Sequence, residues 1–414
     1  MTRKKVSLLL MLGVGFLITG NLIGAGILGL PVITGLAGLI PALVAMLVVG
    51  GAMFYTAVVL GDEATAAHNN TFNYPSLYRN YLGFAGKWVA ILANLLILYG
   101  LLTAYLTGAT TIIVNLFHFP FAKIWVILGF FVIITTLTIT NLNVIKRYNA
   151  ILMLLLWGSF AVIVCISEKY VKLERLTYEN WAYLPLAIPV IVTAFHFHNI
   201  IPTVCQGLKW DSRAIWKTML FGMIIGLVMN AVWIQVGIGA LPLESGKYSI
   251  VNAFVHNLPA TIPMSAEIHS KVFAVGSLLF ALLAIATSYL ANGTGLMAFM
   301  KDLTVNYFKI SNRLLVIALT FVPPLIISII YPDIFLKALN VVGGVGIVIL
   351  FGILPSMLAI IRAKTISRRA LGITMFILFT LFLLFQLGQQ FGLLKFKPDS
   401  AHTTRSFGVS LNRG

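Results

Sequence analysis

Two apolar stretches of this 414-residue chain contain residues that break helices and offer polar groups to a ligand. The first, 20–26, holds three glycines, and the second, 195–202, holds two histidines, an asparagine and a proline. Glycine weakens a helix by about 1 kcal/mol relative to alanine, and proline lacks a backbone donor. A helix interrupted in a bilayer exposes N–H and C=O groups that can bind a solute. The two runs therefore predict reversible binding of a small polar solute.

Other interpretations of these runs compete with ligand binding. Gly20-x-x-x-Gly24 is also a spacing at which membrane helices pack closely, and a lone buried histidine is usually a packing residue. The density of glycines nevertheless favours unwinding of the first run. In the second run, His196, His198 and Asn199 would be costly against lipid, so we expect them to face a cavity or another helix.

Two helices broken at mid-depth present the ends of four half-helices to one another. Helix N-termini carry free N–H groups and positive partial charge, and C-termini carry free carbonyls and negative partial charge. A carboxylate suits the first kind of end, and an ammonium group suits the second. The pattern predicts a zwitterion, so an amino acid is the first expectation for the solute.

The composition indicates that the elements holding these runs are membrane helices. Hydrophobic residues make up 60% of the chain and charged residues 9%, and the mean hydropathy is +1.00, far from the average of soluble domains. A span needs about 20 apolar residues, and the apolar runs predict eleven. They lie at 7–35, 38–60, 87–115, 123–142, 148–167, 183–205, 214–239, 271–297, 314–331, 335–361 and 371–392. The expected fold is all-α and polytopic, with the lipid bilayer as its partner.

The formal charge of +17 is carried by short loops and span ends. This distribution indicates membrane topology and lipid contact rather than nucleic-acid binding. The positive-inside rule places the N-terminus in the cytoplasm, and an odd number of spans places the C-terminus outside. No carboxylate falls near the centre of a predicted span, which leaves His196 and His198 as the titratable side chains expected at mid-depth. Cys165 and Cys205 are expected to be inert thiols.

Three further segments have two interpretations each. Residues 62–86 could form an amphipathic helix at the interface or a plain connector, and we favour the connector. Residues 240–270 are long enough to cap a cavity, or they connect two spans. The hydroxyls of Thr287 and Ser288 could bond their own helix or ligate a small cation.

Four motifs, in this order along the chain, resemble the bacterial tyrosine and tryptophan permeases of the hydroxy and aromatic amino acid permease family. They are 20–31, 195–202, 282–290, and Pro323-Pro324 followed by Tyr331-Pro332. The likeness extends over essentially all eleven spans. It implies a leucine-transporter-like fold of the amino acid-polyamine-organocation superfamily, with helices 1 and 6 broken. Residues 1–397 would form one transport domain, with inverted repeats at about 7–167 and 183–361, an extra helix at 371–392 and a polar, disordered tail at 398–414.

The resemblance also implies site residues. Those expected around the substrate are Leu22, Gly24, Gly26, Tyr105, Thr193 and Phe195, to which the interrupted runs add Asn21, His196 and His198. Those expected around a coupling cation are Gly20, Ile23, Ala284, Thr287 and Ser288. Tyr105 would donate its hydroxyl to the substrate carboxylate, and His198 is the preferred proton carrier.

Three positions depart from the family pattern. Asn21-Leu22 stands where tyrosine permeases carry two threonines, and His196 stands where they carry glycine. An imidazole there would shrink the pocket or add a hydrogen bond, which leaves a broader range of neutral amino acids open as an alternative. Thr287 and Ser288 likewise leave sodium open as the alternative to a proton.

The expected function is import of an aromatic amino acid with a proton across the bacterial inner membrane, without a cofactor. A passive channel would need a repeated ring of carbonyls or charges. A membrane enzyme would need a metal cluster, paired acids, or a nucleophile with its base. Neither pattern is evident in the sequence, so both are less favoured.

Overall fold

The computed structural model describes residues 6–67, 72–117, 122–140, 142–244 and 246–394. The expected polar tail at 398–414 lies outside this part of the chain. Within it, the fold is helical, and its one extended pairing is an isolated bridge between Gly38 and Glu179.

The described residues contain ten helices long and apolar enough to cross a membrane, or eleven with one bent pair counted as a span. Spans 1 to 11 are, in order, Leu8–Leu22 with Gly26–Gly35, Leu39–Ala67, Tyr74–Phe117, Lys123–Thr140, Leu142–Ser167, Leu184–Ala194 with Ile201–Gly207, Ser212–Ala240, Lys271–Leu303, Arg313–Ile330, Phe335–Arg362 and Ile366–Gln390. The expectation of an all-α polytopic membrane protein is confirmed.

Spans 2 and 3 are longer than their apolar cores predicted. Span 2 runs on to Ala67, and span 3 starts at Tyr74 and kinks at Gly83, where φ is 67°. Within this stretch Leu77 and Tyr78 are buried, and the Tyr78 hydroxyl donates to the Leu350 carbonyl at 2.8 Å. The favoured interpretation of 62–86 as a plain connector was therefore wrong, because 62–67 and 74–86 continue spans 2 and 3 as helices and Leu77 and Tyr78 are buried in the helical bundle.

Span 1 breaks between Leu22 and Gly26, and its two halves are bent by 54°. After the break, backbone hydrogen bonding resumes between residues three apart. The Ile27 N–H donates to the Gly24 carbonyl at 3.1 Å, and the Leu28 N–H donates to the Ala25 carbonyl at 3.2 Å. The break is narrower than the predicted 20–26, because Gly20 and its neighbours still fit the helix.

Span 6 stops at Ala194 and resumes at Ile201, with a tight turn at His198–Ile200 between them. Pro202 lacks the N–H that would reach the His198 carbonyl in a continuous helix. That carbonyl instead accepts hydrogen bonds from the Ile201 N–H and from the Tyr74 hydroxyl. The proline thus explains the gap, and span 3 supplies the missing donor.

The two breaks lie side by side. A Cβ placed on Gly26 would come within 3.4 Å of the Ala194 backbone, and one placed on Gly24 would come within 3.0 Å of the Ser288 Oγ in span 8. A Cβ at Gly26 would make ordinary van der Waals contact with the Ala194 backbone, whereas one at Gly24 would crowd the Ser288 hydroxyl. The interrupted parts of spans 1 and 6 therefore meet beside span 8.

The segment 240–270 covers the second half of span 1, Gly26–Gly35. It contains two short helices, Ile250–Val255 and Thr261–Ile268. The Ala260 N–H donates to the Leu28 carbonyl at 2.8 Å, and every residue of Gly26–Gly35 is buried. Of the two interpretations of 240–270, the structure supports the cap.

Span 10 packs against the first half of span 6, Leu184–Ala194, at a glycine. Its central part, Val342–Ile353, is wound as a π-helix. At Gly343 this helix touches the Pro189 carbonyl and the Thr193 hydroxyl. The same hydroxyl contacts the Pro189 carbonyl at 3.0 Å and the Leu339 carbonyl at 3.1 Å.

We expect Gly343→Ala to destabilise the protein by about 1–3 kcal/mol, because the added methyl overlaps backbone that cannot move freely. The measurement is the apparent melting temperature of the purified protein in detergent. Gly129→Ala is the matched control, since nothing lies within 4 Å of a Cβ placed there. Equal melting temperatures for the two variants would contradict the packing described at Gly343.

Candidate functional site

A cavity of about 100 Å³ lies where the two breaks meet. Spans 1, 3, 5, 6 and 8 contribute to its wall. Its lining residues are Leu17, Gly20, Asn21, Leu22, Gly24, Ala25, Gly26, Leu101, Tyr105, Met153, Thr193, Ala194, His196, Asn199, Thr287, Ser288, Ala291 and Asn292.

Most of the sequence-predicted site residues meet at this cavity. Those that line it are Gly20, Asn21, Leu22, Gly24, Gly26, Tyr105, Thr193, His196, Thr287 and Ser288. Four others, Ile23, Phe195, His198 and Ala284, are buried but do not line it.

Phe195 and His198 lie behind the cavity wall, toward span 2. The Phe195 ring is 3.5 Å from the position of a Cβ on Gly50. The His198 Nε2 is 3.0 Å from the Thr56 Oγ1, and its ring stands nearly parallel to that of His196 at 6.0 Å between centroids. His196 therefore lies between the cavity and His198.

Asn292 is the main residue that sequence reasoning missed. Its Nδ2 donates to the Tyr105 hydroxyl at 3.1 Å and to the Ser288 carbonyl at 3.0 Å. Its Oδ1 accepts from the Asn199 Nδ2 at a long 3.5 Å. This amide connects spans 3, 6 and 8 around the cavity. The available signal was an asparagine one helical turn after Ser288 in an otherwise apolar span.

Tyr105 is buried and reaches the cavity with its hydroxyl. The hydroxyl oxygen accepts from Asn292, and the Ser288 side chain lies beside it. A phenol that accepts a bond can still donate its own proton. The position therefore suits the expected donation to a substrate carboxylate.

Two polar atoms of the cavity wall have no hydrogen-bond partner within the described residues. They are the Nε2 of His196 and the Oδ1 of Asn199, both shielded from solvent. Buried polar groups are usually paired, and an unmade bond costs about 1–3 kcal/mol. A bound solute that offers them partners would recover this free energy.

Only some of the residues expected around a coupling cation line the cavity. Thr287 donates to the Leu283 carbonyl at 2.7 Å, as a hydroxyl within a helix commonly does. Its oxygen still has lone-pair capacity, and it lines the cavity together with Ser288 and Gly20. The described residues contain no group of three or more His, Cys, Asp or Glu side chains that could hold a metal ion.

Comparison with known proteins agrees with this architecture. Residues 9–389 match the model of the tryptophan/tyrosine permease family. The chain belongs to the tryptophan/tyrosine permease family. It is therefore related to transport proteins and not to enzymes.

Individual members of the permease family are distant in sequence but similar in length. A tyrosine-specific transport system of Haemophilus influenzae is 28% identical over 80% of this chain and 83% of its own. A low affinity tryptophan permease of Escherichia coli is 25% identical over 84% and 86%. A protein of Aliivibrio fischeri named glutamine transporter 2 is 24% identical over 85% and 89%.

We expect Asn292→Leu to weaken solute binding by about tenfold or more, because Tyr105 loses a donor that holds its hydroxyl in place. The measurement is the KM for uptake of the best amino acid substrate into proteoliposomes. Asn115→Leu is the matched control, since that amide bonds its own helix at the Thr111 carbonyl and does not line the cavity. An unchanged KM for Asn292→Leu would remove this residue from the site.

Proposed function

We propose that the protein is a secondary active transporter that imports an aromatic amino acid of the tyrosine or tryptophan class with a proton. It would act in the bacterial inner membrane by alternating access, with its N-terminus in the cytoplasm and its C-terminus outside. The observation that carries the proposal is the pair of adjacent breaks in spans 1 and 6, which open onto a buried cavity containing the Tyr105 hydroxyl. Membership of an aromatic amino acid permease family supports the substrate class.

The half-helices suit the two charges of an amino acid. The outer half of span 1, Gly26–Gly35, has its N-terminus at the cavity, so its N–H groups and positive dipole end suit a carboxylate. The C-termini of Leu8–Leu22 and Leu184–Ala194 end at the same place and suit the ammonium group. Tyr105 would add a hydroxyl donor to the carboxylate.

The small volume of the cavity supports a binding site whose walls move during transport. Its volume of about 100 Å³ is well below the roughly 300–1,000 Å³ typical of small-molecule pockets. An aromatic side chain would need the cavity to widen, and His196 is part of the wall that would have to move. Opening and closing of this kind belongs to alternating access.

The cap supports a closed outer path in this conformation. The outer half of span 1 is entirely buried, whereas the cavity lining extends along its inner half through Leu17 and Gly20. We propose that the two inverted repeats, about 7–167 and 183–361, move against each other to open the opposite path.

His198 is the proposed proton carrier. Its Nδ1 is buried without a partner within the described residues, while its Nε2 contacts Thr56. A neutral imidazole in this setting has one nitrogen free to take a proton. His196 stands between this ring and the cavity, so substrate and proton would influence each other through it.

A broader neutral amino acid range is the second candidate. The unpartnered Nε2 of His196 and Oδ1 of Asn199 favour a solute whose side chain forms hydrogen bonds, such as an amide or a phenol. The relative named glutamine transporter 2 is consistent with such a range in the family. Sodium coupling through Gly20, Thr287 and Ser288 is the corresponding alternative for the ion.

Uptake into proteoliposomes tests substrate and ion together. We expect radiolabelled tyrosine or tryptophan to accumulate above equilibrium under an imposed inward pH gradient without sodium, and to be competed by aromatic amino acids more strongly than by glutamine. Accumulation that requires a sodium gradient would overturn the proposal that a proton is the coupling ion. Preferential competition by glutamine would support the broader range instead.

We expect His198→Gln to abolish proton-driven accumulation while counterflow exchange of substrate persists, because glutamine can contact Thr56 but cannot titrate. The measurement compares the two activities in the same proteoliposomes. His256→Gln, in the cap on an exposed side chain, is the matched control and should keep both. Normal accumulation by His198→Gln would assign the proton to another group.

A further inference from the structure

A second cavity, of about 500 Å³, lies at the end of the molecule proposed to face the cytoplasm. It lies between span 2, the end of span 10 and the start of span 11. Its polar lining consists of Tyr55, Asp62, Arg362, Lys364 and Arg368. It is separate from the cavity at the two breaks and shares no lining residue with it.

The charges around this cavity leave a positive excess. Arg362 is paired with Glu63, which is only 5% exposed, and Asp62 lies beside them on span 2. Within the described residues, neither Lys364 nor Arg368 forms an ion pair with a carboxylate. Asp62 also interacts electrostatically with Arg362 and Arg368, so the three cations and two carboxylates leave a net charge of +1 to attract a ligand that carries negative charge.

The start of span 11 adds to this excess. The helix begins at Ile366, has 25 residues and carries no acidic residue in its first turn. Thr365 caps it by accepting from the Arg368 N–H at 3.4 Å. The positive end of the helix dipole therefore coincides with Lys364 and Arg368.

The remaining wall is apolar and leads to the lipid side. Val58, Val59, Ala359 and Leu371 line it. Leu371 is 45% exposed, and the neighbouring Ile366 is 90% exposed. Exposed aliphatic side chains next to unpaired cations suit a ligand that carries both an anionic group and hydrocarbon chains.

We propose that this cavity binds the headgroup of an anionic phospholipid. Its phosphate would lie between Lys364 and Arg368 near the Tyr55 hydroxyl, and its acyl chains would run along Val58, Val59 and Leu371. Basic pockets between membrane helices on the cytoplasmic side bind such headgroups. The chemistry required is a phosphate joined to apolar chains, so a free phosphate ion would use only half of the site.

The bound lipid would touch a junction between two spans. Arg362 contacts both the cavity and Glu63, so span 10 is tied to span 2 at the edge of the headgroup site. The Tyr81 hydroxyl, from the start of span 3, donates to the other Glu63 oxygen at 3.2 Å. A lipid held here would bridge spans 2, 10 and 11.

Native mass spectrometry of the full-length protein in detergent tests the proposal. The protein is titrated with phosphatidylglycerol and, separately, with phosphatidylcholine. We expect Lys364→Gln/Arg368→Gln to weaken binding of the first phosphatidylglycerol by about 25-fold, at about fivefold per cation, while phosphatidylcholine binding is unchanged. Lys364→Arg/Arg368→Lys should keep the wild-type preference.

The matched control is Arg213→Gln/Lys217→Gln, which removes the same charge from exposed side chains at the start of span 7. It should retain the wild-type affinity for phosphatidylglycerol. Equal losses in both double variants would overturn the proposal, because they would reflect net charge and not this cavity. Retained affinity in Lys364→Gln/Arg368→Gln would also overturn it.

An inorganic phosphate arm distinguishes a lipid site from a free-anion site. Phosphatidylglycerol should raise the melting temperature of the wild-type protein, since a ligand of the folded state stabilises it. Inorganic phosphate at the same concentration should not. An equal shift with inorganic phosphate would overturn the lipid assignment. If the double variant does not fold, Arg368→Gln alone provides the same comparison with about a fivefold expected loss.

Discussion

The structure depends on one constraint. A backbone N–H or C=O group that lacks its helical hydrogen bond inside a bilayer must find another hydrogen-bond partner. A continuous helix meets it internally, and spans 1 and 6 do not. The two breaks lie against each other, with Gly26 close to the Ala194 backbone, and part of the constraint is met within each break by shorter-range bonds such as that from the Ile27 N–H to the Gly24 carbonyl. Groups from other elements supply the rest, since Tyr74 donates to the His198 carbonyl and Ala260 donates to the Leu28 carbonyl.

The polar side chains around the cavity are under the same constraint, because they too are buried and need hydrogen-bond partners. Asn292 is satisfied by Tyr105, Ser288 and Asn199, and so it fixes three spans relative to one another. The Nε2 of His196 and the Oδ1 of Asn199 remain without partners in the part of the chain described. A site with one ordered hydrogen-bonded group and two unmade bonds favours a solute over an empty cavity.

Much of this arrangement could be predicted from the sequence, and the failures have physical reasons. Hydropathy located the spans, and the glycines and Pro202 located the two breaks, because these signals are local. The orientation of Phe195 and His198 could not be predicted, since an unwound segment has no helical period to assign a face. The predicted end of span 2 came too early because Glu63 looked like a residue outside the span. Its partner, Arg362, lies 299 residues away in the sequence. Asn292 was missed because its position one turn after Ser288 does not show that its amide reaches Tyr105 and Asn199 on two other spans.

The contact between Tyr74 and span 6 has a practical consequence for work on this carrier. The hydroxyl bonds a backbone carbonyl at position 198 and not the imidazole. The Tyr74 contact in span 6 therefore uses a group that any residue at 198 would present, whereas the contacts with Thr56 and His196 depend on the imidazole. A substitution at position 198 therefore changes the imidazole and leaves in place the carbonyl that Tyr74 bonds, so variants at this one position separate the two contributions.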